Sequence, residues 1–432
     1  MSETFINGRI ILHCGDCIEV LATLLADSID SVVCDPPYHL QSIHKRFAKV
    51  GRDDKTWTSS GPHQRTAAGF MNKKWDGGDV SSRPETWAAA FRVMKPGAFL
   101  VAFGGTRTYH RMACAIEDAG FEVRDTIAWL YGSGFPKSHD VSKGIDRQAG
   151  AVRKVIGRSN RDIGPSQIQN KPFARGISLE TQGLLTAPAT AEAAQWEGWG
   201  TALKPAFEPL ILARKPLGPG MTVAGNVLAY GTGGINIAAC RVQSDASHDS
   251  RVPNINTQGR WPANLVHDGS DEVLKGFPEN TGAQGIVRGN EASNPTSNVY
   301  GAYRRQPSKV PRDEPGSAAR FFYIAKADVD DRLGSKHPTV KPLDLMQWLV
   351  RLVTPPGGTV LDCFAGTGTT GEAAFREGFN AVLIERESEY QADIRRRMSL
   401  MLSGPDERRR EVIKASGKVQ DAGPLFANLP PE

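Results

Sequence analysis

Short apolar runs alternate with stretches of helical spacing at both ends of this chain, and the alternation fails in between. Arg9-Ile10-Ile11-Leu12-His13 reads as a strand closed by the turn Cys14-Gly15-Asp16. Ile18, Leu21, Leu24 and Leu25 follow at helical spacing as far as Asp27, and residues 30–34 form a second strand. Unbroken apolar runs suit strands buried on both faces, so the opening is a β-α-β unit of a parallel sheet. A helix over 84–94, a strand over 98–103, a helix over 106–119 and a strand over 121–131 continue the pattern. Order returns after Lys336, with a helix from Pro342, a strand over 358–362, a helix over 368–376, a strand over 381–385 and a helix over 387–402.

The patternless stretches are of two kinds. Residues 39–78 carry Lys45, Arg46, Lys49, Lys73 and Lys74 interleaved with Phe47, Trp57, Phe70 and Trp75. That mixture suits phosphate contacts and base stacking; a solvated surface loop is the plain alternative. Residues 140–320 are rich in Gly, Pro, Ser, Asn and Gln, and their best strand, 207–213, is expected to return to the main sheet. The tail beyond 402, with Arg408-Arg409-Arg410, reads as solvated or frayed.

Composition narrows the picture only a little. Of 432 residues, 40% are hydrophobic and 23% charged, which is ordinary for a soluble globular protein. The formal net charge of +5 permits a polyanionic partner without demanding one. Six cysteines show no paired metal-ligand spacing beyond a lone C-x-x-C at Cys14 and Cys17, so no metal is expected. The first eight residues lack a basic-then-apolar signal pattern, and no stretch approaches the ~18 apolar residues of a membrane span. The expectation is a cytoplasmic protein.

Chemistry enters at two motifs. Asp35-Pro36-Pro37-Tyr38 follows directly on the strand at 30–34. Neither proline has an N–H for a sheet ladder, so the strand ends abruptly. An acid, a rigid carbonyl and an aromatic ring are presented at a strand's C-terminal end, the edge where open α/β sheets bind ligands. An ordinary strand-ending turn would use the same residue types. The second motif, Asp362-Cys363-Phe364-Ala365-Gly366-Thr367-Gly368-Thr369-Thr370-Gly371, holds G-x-G-x-x-G between an expected strand and an expected helix. Its glycines suit a tight turn, close backbone approach to a ligand, and helix–strand packing. Glu385 ends the next strand, where an acid grips ribose hydroxyls. An adenosine cofactor fits this context; the alternative is a glycine-rich connection that only packs.

In this order the motifs resemble those of the β group of amino-methyltransferases acting on DNA. Gly15-Asp16-Cys17 with Asp35-Pro36-Pro37-Tyr38, Phe70-Met71-Asn72-Lys73-Lys74-Trp75-Asp76 and His337-Pro338-Thr339-Val340-Lys341-Pro342 carry the likeness together with the glycine motif. It covers residues 9–135 and 321–402, plus the strand within 205–216. The resemblance implies an α/β, Rossmann-like fold of S-adenosylmethionine-dependent methyltransferases, with circularly permuted motif order and a large irregular insertion. It divides the chain into a catalytic half at 1–140, an insertion at 141–320 suited to target recognition, a cofactor-binding half at 321–402 and a tail at 403–432.

The same resemblance implies roles. Asp35 and the Pro36 carbonyl accept hydrogen bonds from an exocyclic amino group, Pro37 stiffens the loop, and Tyr38 stacks on a base turned out of the duplex. Asp16 and Cys17 touch the cofactor's adenine. Asp362, Phe364, Gly366, Gly368 and Thr369 surround its methionine part and ribose, with Glu385 on the ribose hydroxyls. Thr339, Lys341 and Pro342 line the methionine end. The implied partner is double-stranded DNA; a homodimer and a cognate restriction nuclease are further partners the resemblance allows. Asp at the first motif position leans toward adenine N6, with cytosine N4 as the alternative. Methylation at cytosine carbon 5 is set aside, because the chain has no Pro-Cys dipeptide. A nicotinamide-dependent oxidoreductase would use the glycine motif and Glu385 but leaves Asp35 to Tyr38 unexplained. A catalytically dead relative and a glutamine-directed protein methyltransferase are weaker rivals, since Asp-Pro-Pro-Tyr is intact and opens with Asp.

Overall fold

The computed structural model describes residues 2–38, 79–134, 138–158, 184–242, 259–279, 297–298, 301–302, 316–325 and 329–415. Lys45, Arg46, Lys49, Lys73 and Lys74, the basic residues expected to face DNA, lie outside the described residues.

Among the described residues, ten strands form one sheet. In chain order they are β1 (Ser2–Phe5), β2 (Ile10–Cys14), β3 (Ile29–Cys34), β4 (Met94–Phe103), β5 (Glu122–Leu130), β6 (Phe207–Arg214), β7 (Leu265–His267), β8 (Tyr323–Ile324), β9 (Thr359–Asp362) and β10 (Asn380–Glu385). Across the sheet they run β1-β2-β10-β9-β3-β4-β6-β5-β7-β8. β1 is antiparallel to β2, and β6 is antiparallel to both its neighbours. The other pairings are parallel, so the expected Rossmann-like α/β architecture is present.

The permuted motif order is visible in the middle of the sheet. β9 and β10, last in the chain, enter between β2 and β3. From β9 the chain runs through the helix Thr369–Arg376 to β10 on one side, whereas β3 leads toward β4 on the other. Connections that diverge from two adjacent parallel strands open a crevice at their C-terminal ends. Val360 lies opposite Ser31 and Leu361 opposite Val32, so the glycine motif and Asp35-Pro36-Pro37-Tyr38 leave the sheet side by side.

Strand residues alternate between two cores. Val33, Val101 and Leu212 join the helix Leu343–Val353 on one face. Val32, Leu100 and Ile211 join the helices Cys17–Thr23, Pro84–Val93 and Tyr109–Asp118 on the other. Period-two side-chain alternation explains why the central runs are apolar throughout. Each fully buried Leu, Val or Ile contributes roughly 1.5–3 kcal/mol by leaving water.

The chain forms two compact units, one of residues 1–132 with 207–432 and one of residues 133–206. The stretch expected as an insertion at 141–320 therefore contributes to both. Its strand at 207–213 is β6, whose run Pro209-Leu210-Ile211-Leu212-Ala213 is apolar on both faces and buried. Within the unit 133–206, helices Val141–Gln148 and Ala191–Gln195 accompany a short antiparallel pair, Val155–Arg158 with Leu184–Thr186. Asp146 gathers that unit, accepting from Arg153 at 2.7 Å, from Ala189 and Thr190 backbone N–H groups, and from the Thr190 hydroxyl.

Candidate active site

Asp35 is the first residue past β3, and an antiparallel strand brings a second acid to the same edge. Because β6 runs against its neighbours, its N-terminal end lies where the parallel strands finish. Glu208 is the second residue of β6. Lys341, just before the helix Leu343–Val353, joins the two acids. Its ammonium is 2.9 Å from Asp35 Oδ2 and 3.0 Å from Glu208 Oε2. It also donates to the Tyr38 hydroxyl at 3.0 Å, and that hydroxyl donates to Glu208 Oε2 at 2.9 Å. The rings of Phe103 and Tyr38 lie 4.8 and 5.4 Å from the same ammonium, an arrangement in which ring faces add to its stabilisation.

The loop bearing these groups is fastened from outside. The Ser81 hydroxyl donates to the Pro37 carbonyl and the Thr108 hydroxyl to the Tyr38 carbonyl, both at 2.6 Å. A side chain at Gly105 would begin 3.0 Å from the Tyr38 ring. Tyr38 thus has a fixed seat.

Asp35 Oδ1 is buried and has no hydrogen-bond partner. The side chain as a whole keeps 18% of its exposure. An unsatisfied buried acceptor costs about 1–3 kcal/mol, and more when charged. Burial raises the Asp35 carboxyl above the ordinary range, Lys341 draws it back, and the Glu208 charge pushes it up again. For Lys341 burial opposes the charge, but Asp35 and Glu208 outweigh it and hold the ammonium protonated. One ammonium therefore serves two carboxylates.

The glycine motif is tied down as firmly. Gly366 and Gly368 have positive φ, 53° and 77°, as a turn this tight requires. The Gly366 N–H donates to Glu385 Oε2 and the Glu387 N–H to Oε1, each at 2.8 Å. The Gly15 N–H reaches the Glu385 carbonyl at 3.0 Å, bringing the β2 turn beside it. Asp362 accepts from the Phe364 N–H at 3.0 Å and from the Thr370 hydroxyl, so both of its oxygens hold its own loop. Burial pushes Asp362 and Glu385 up to about 7 against those hydrogen bonds. Thr369 opens the helix that follows, at its positive end.

The remaining expected residues fall around this turn. Asp16 caps the helix Cys17–Thr23 through the Ile18 N–H, and Cys17 is buried under it. Phe364 is half-buried, its ring 6.5 Å from Trp87. Pro342 precedes the helix Leu343–Val353, and the Thr339 N–H donates to His337 Nδ1. Three residues were not singled out from sequence. Glu208 stands among the catalytic candidates. His337 lies over the turn, within 3.5 Å of a side chain built on Gly366. Arg397, from the helix Ser388–Ser399, donates to the Thr367 carbonyl at 2.8 Å. His337 carried a signal as part of the segment that ends in Lys341 and Pro342, and Glu208 only as a member of the strand at 207–213.

A family model described as DNA methylase, for N6 and N4 methyltransferases, matches residues 29–153 and 231–396, well over half of the chain. The chain belongs to that family. This DNA methylase is 22% identical over 375 residues to the type II methyltransferase M.HindIII of Haemophilus influenzae, covering 84% of this chain and 86% of that one. It is 48% identical over 85 residues to the type II methyltransferase M.BglI of Bacillus subtilis, covering 19% and 23% respectively. Among solved structures it is similar to the cytosine-N4-specific PvuII DNA methyltransferase, with 14% identity, a TM-score of 0.41, and coverage of 94% of this chain and 93% of that one. Methylases of this family act on DNA and take the methyl group from S-adenosylmethionine. The site fits that donor: Gly366 and Gly368 hold the turn at positive φ, a side chain on Gly368 would crowd Ile394 at 3.1 Å, and the turn ends beside the Glu385 carboxylate. No helix among the described residues is long and apolar enough to cross a membrane.

Proposed function

We propose that this methylase transfers a methyl group to the N6 amino group of adenine in duplex DNA, with the target base turned out of the helix. The observation that carries the reading is the Asp35 carboxylate, one oxygen on Lys341 and the other buried without a partner. An exocyclic amine is a poor nucleophile because its lone pair is delocalised into the ring. Asp35 Oδ1 accepts a hydrogen bond from it and the Pro36 carbonyl a second, favouring a tetrahedral nitrogen with its lone pair free. Preplaced acceptors of this kind stabilise the transition state without reorganising. When bound, S-adenosylmethionine supplies an electrophilic methyl on a sulfonium. Glu385 accepts from its ribose hydroxyls, the turn from Phe364 to Thr369 with Asp362 behind it encloses the ribose and methionine, and Asp16 and Cys17 border the adenine. Thr339, Lys341 and Pro342 close the methionine end. Tyr38 stacks on the target base and Pro37 keeps the loop stiff. Asp in place of Ser at the first motif position favours adenine over cytosine.

The stretch 141–320 is our candidate for target recognition. The basic residues of 39–78 are proposed to contact phosphates, and a homodimer and a cognate nuclease are proposed as further partners. The test is methyl transfer from labelled S-adenosylmethionine to unmethylated genomic DNA, followed by nucleoside analysis, with Asp35→Ala in parallel. Label in N6-methyladenine that disappears in the variant supports the whole reading. Label in N4-methylcytosine keeps the mechanism and corrects the base. Absence of label in DNA with cofactor binding intact overturns it.

A further inference from the structure

Glu208 has no place in the chemistry described so far, and it lies in residues 154–230, which the family match passes over. It nevertheless stands at the centre of the site, reached from a strand 170 residues away from Tyr38 in sequence. Its Oε2 receives both the Lys341 ammonium and the Tyr38 hydroxyl. The two acids compete for one cation. Without Glu208, the Lys341 charge would fall on Asp35 alone, draining the carboxylate of the electron density it needs to accept from an amine. The Tyr38 hydroxyl would also lose its 2.9 Å bond to Glu208 and be left to Asp35, adding a second donor to that carboxylate.

We propose that Glu208 is a positioning residue for methyl transfer, sharing the Lys341 ammonium and the Tyr38 hydroxyl so that Asp35 keeps one oxygen for the substrate amine. The proposal rests on the amino-methyltransferase reading above. Around Asp35 stand Lys341 from the segment before the helix Leu343–Val353, Glu208 from β6 and Tyr38 from its own loop. Asp362 from β9 lies behind it, and Tyr131, just past β5, borders Glu208 and Lys341. Glu208 is the neighbour whose negative charge is removable without touching the glycine turn. Its removal lowers the proton affinity of Asp35, because Lys341 then acts on that carboxylate undivided.

The experiment is single-turnover methyl transfer to DNA by the full chain across a pH series, for wild type, Glu208→Gln, Glu208→Asp and Asp35→Ala. Cofactor affinity and melting temperature are measured beside each. Glu208→Gln keeps the shape and removes the charge. Its rate constant is expected to fall roughly 10- to 100-fold, less than the loss of a direct transition-state contact. The acid limb of its profile moves to lower pH, and cofactor affinity is unchanged. Glu208→Asp keeps the charge, so its limb stays at the wild-type pH while its rate falls less. A limb shift with Gln but not Asp is a signature that a merely structural role would not produce. A Glu208→Gln enzyme with wild-type rate and wild-type acid limb, beside an inactive Asp35→Ala, overturns this inference alone. A wild-type protein that methylates no DNA overturns the underlying reading and this inference with it.

Discussion

Glu372, fully buried, and Asp35, half-buried, are both carboxylates held by cations, one behind the glycine turn and the other at the end of β3. Three arginines saturate Glu372. Arg397 holds Oε2 at 2.8 Å, while Arg408 and Arg376 hold Oε1 at 2.6 and 2.9 Å. Arg397 spreads the network further, donating to the carbonyls of Thr367 and Asp331. Burial works to raise the Glu372 pKa, but the arginines outweigh it and bring it down to about 2. At Asp35 the proportion is reversed: two carboxylates share one lysine, an oxygen is left over, and the pKa goes up. The difference separates a strut from the group proposed to work on the substrate. Excess cation and full hydrogen bonding fix a fold; excess anion and an unfilled lone pair are tolerated where a substrate completes them.

The largest effect should come from the unfilled side of that contrast. Asp35→Asn keeps the shape and leaves Lys341 with Glu208, yet presents a neutral amide to the amine. Single-turnover rates should fall by about 10²- to 10³-fold, with cofactor affinity and melting temperature held. A variant that melts well below wild type would make Asp35 another strut and erase the distinction.

Glu372→Gln should do the opposite. Arg397, with 1% of its side chain exposed, loses its countercharge, and an uncompensated buried charge costs about 3–5 kcal/mol. Urea unfolding should show that loss, while the folded fraction keeps its turnover. The pH dependence has a definite sign. A carboxyl whose folded pKa lies near 2 against an ordinary 4.5 adds stability that is complete above 4.5. That stability is lost as pH falls from there toward 2, because the unfolded chain takes up the proton first. Acid unfolding of Glu372→Gln should lack this component.

The same contrast explains what could be read from sequence. Asp35-Pro36-Pro37-Tyr38 and the glycine turn were legible because each is a local signal, a strand and its abrupt end or a turn and its helix. The apolar run of β6 was legible for the same reason. Glu208 was not, since its significance depends on β6 running antiparallel between β4 and β5, which no local pattern encodes. Glu372 and Arg376 are four apart on one helix and could have been paired on sight. Arg397 and Arg408 come from later helices, and Arg408, expected to be solvated with its neighbours, instead turns inward from the helix Pro405–Ala415. Few apolar residues mark that helix, and Arg408 ties it to the network. Tertiary partners of charged residues stay hidden where hydrophobic spacing does not announce the element that carries them.

Glu385 offers the finest division between strut and working group, because the proposed cofactor role would make it both. Two backbone N–H groups hold it, yet burial keeps its pKa near 7. For folding, a carboxyl raised from 4.5 to about 7 means that the folded chain holds the proton more tightly. Stability of the free protein should therefore decline as pH rises through that window. Asp362, also near 7, adds to the same slope. For ligand binding the proposed role reverses the sign, since an ionised Glu385 would accept from both ribose hydroxyls and a protonated one would accept more weakly. Cofactor affinity should weaken on acidification below 7, by up to about tenfold per pH unit. Titrations between pH 5.5 and 8.5 should show melting temperature and affinity moving in opposite directions for wild type. Glu385→Gln should flatten the affinity profile while leaving the Asp362 part of the stability slope. If affinity stays flat in wild type, Glu385 is a strut for the Gly366 N–H and nothing more, and another acceptor must hold the ribose.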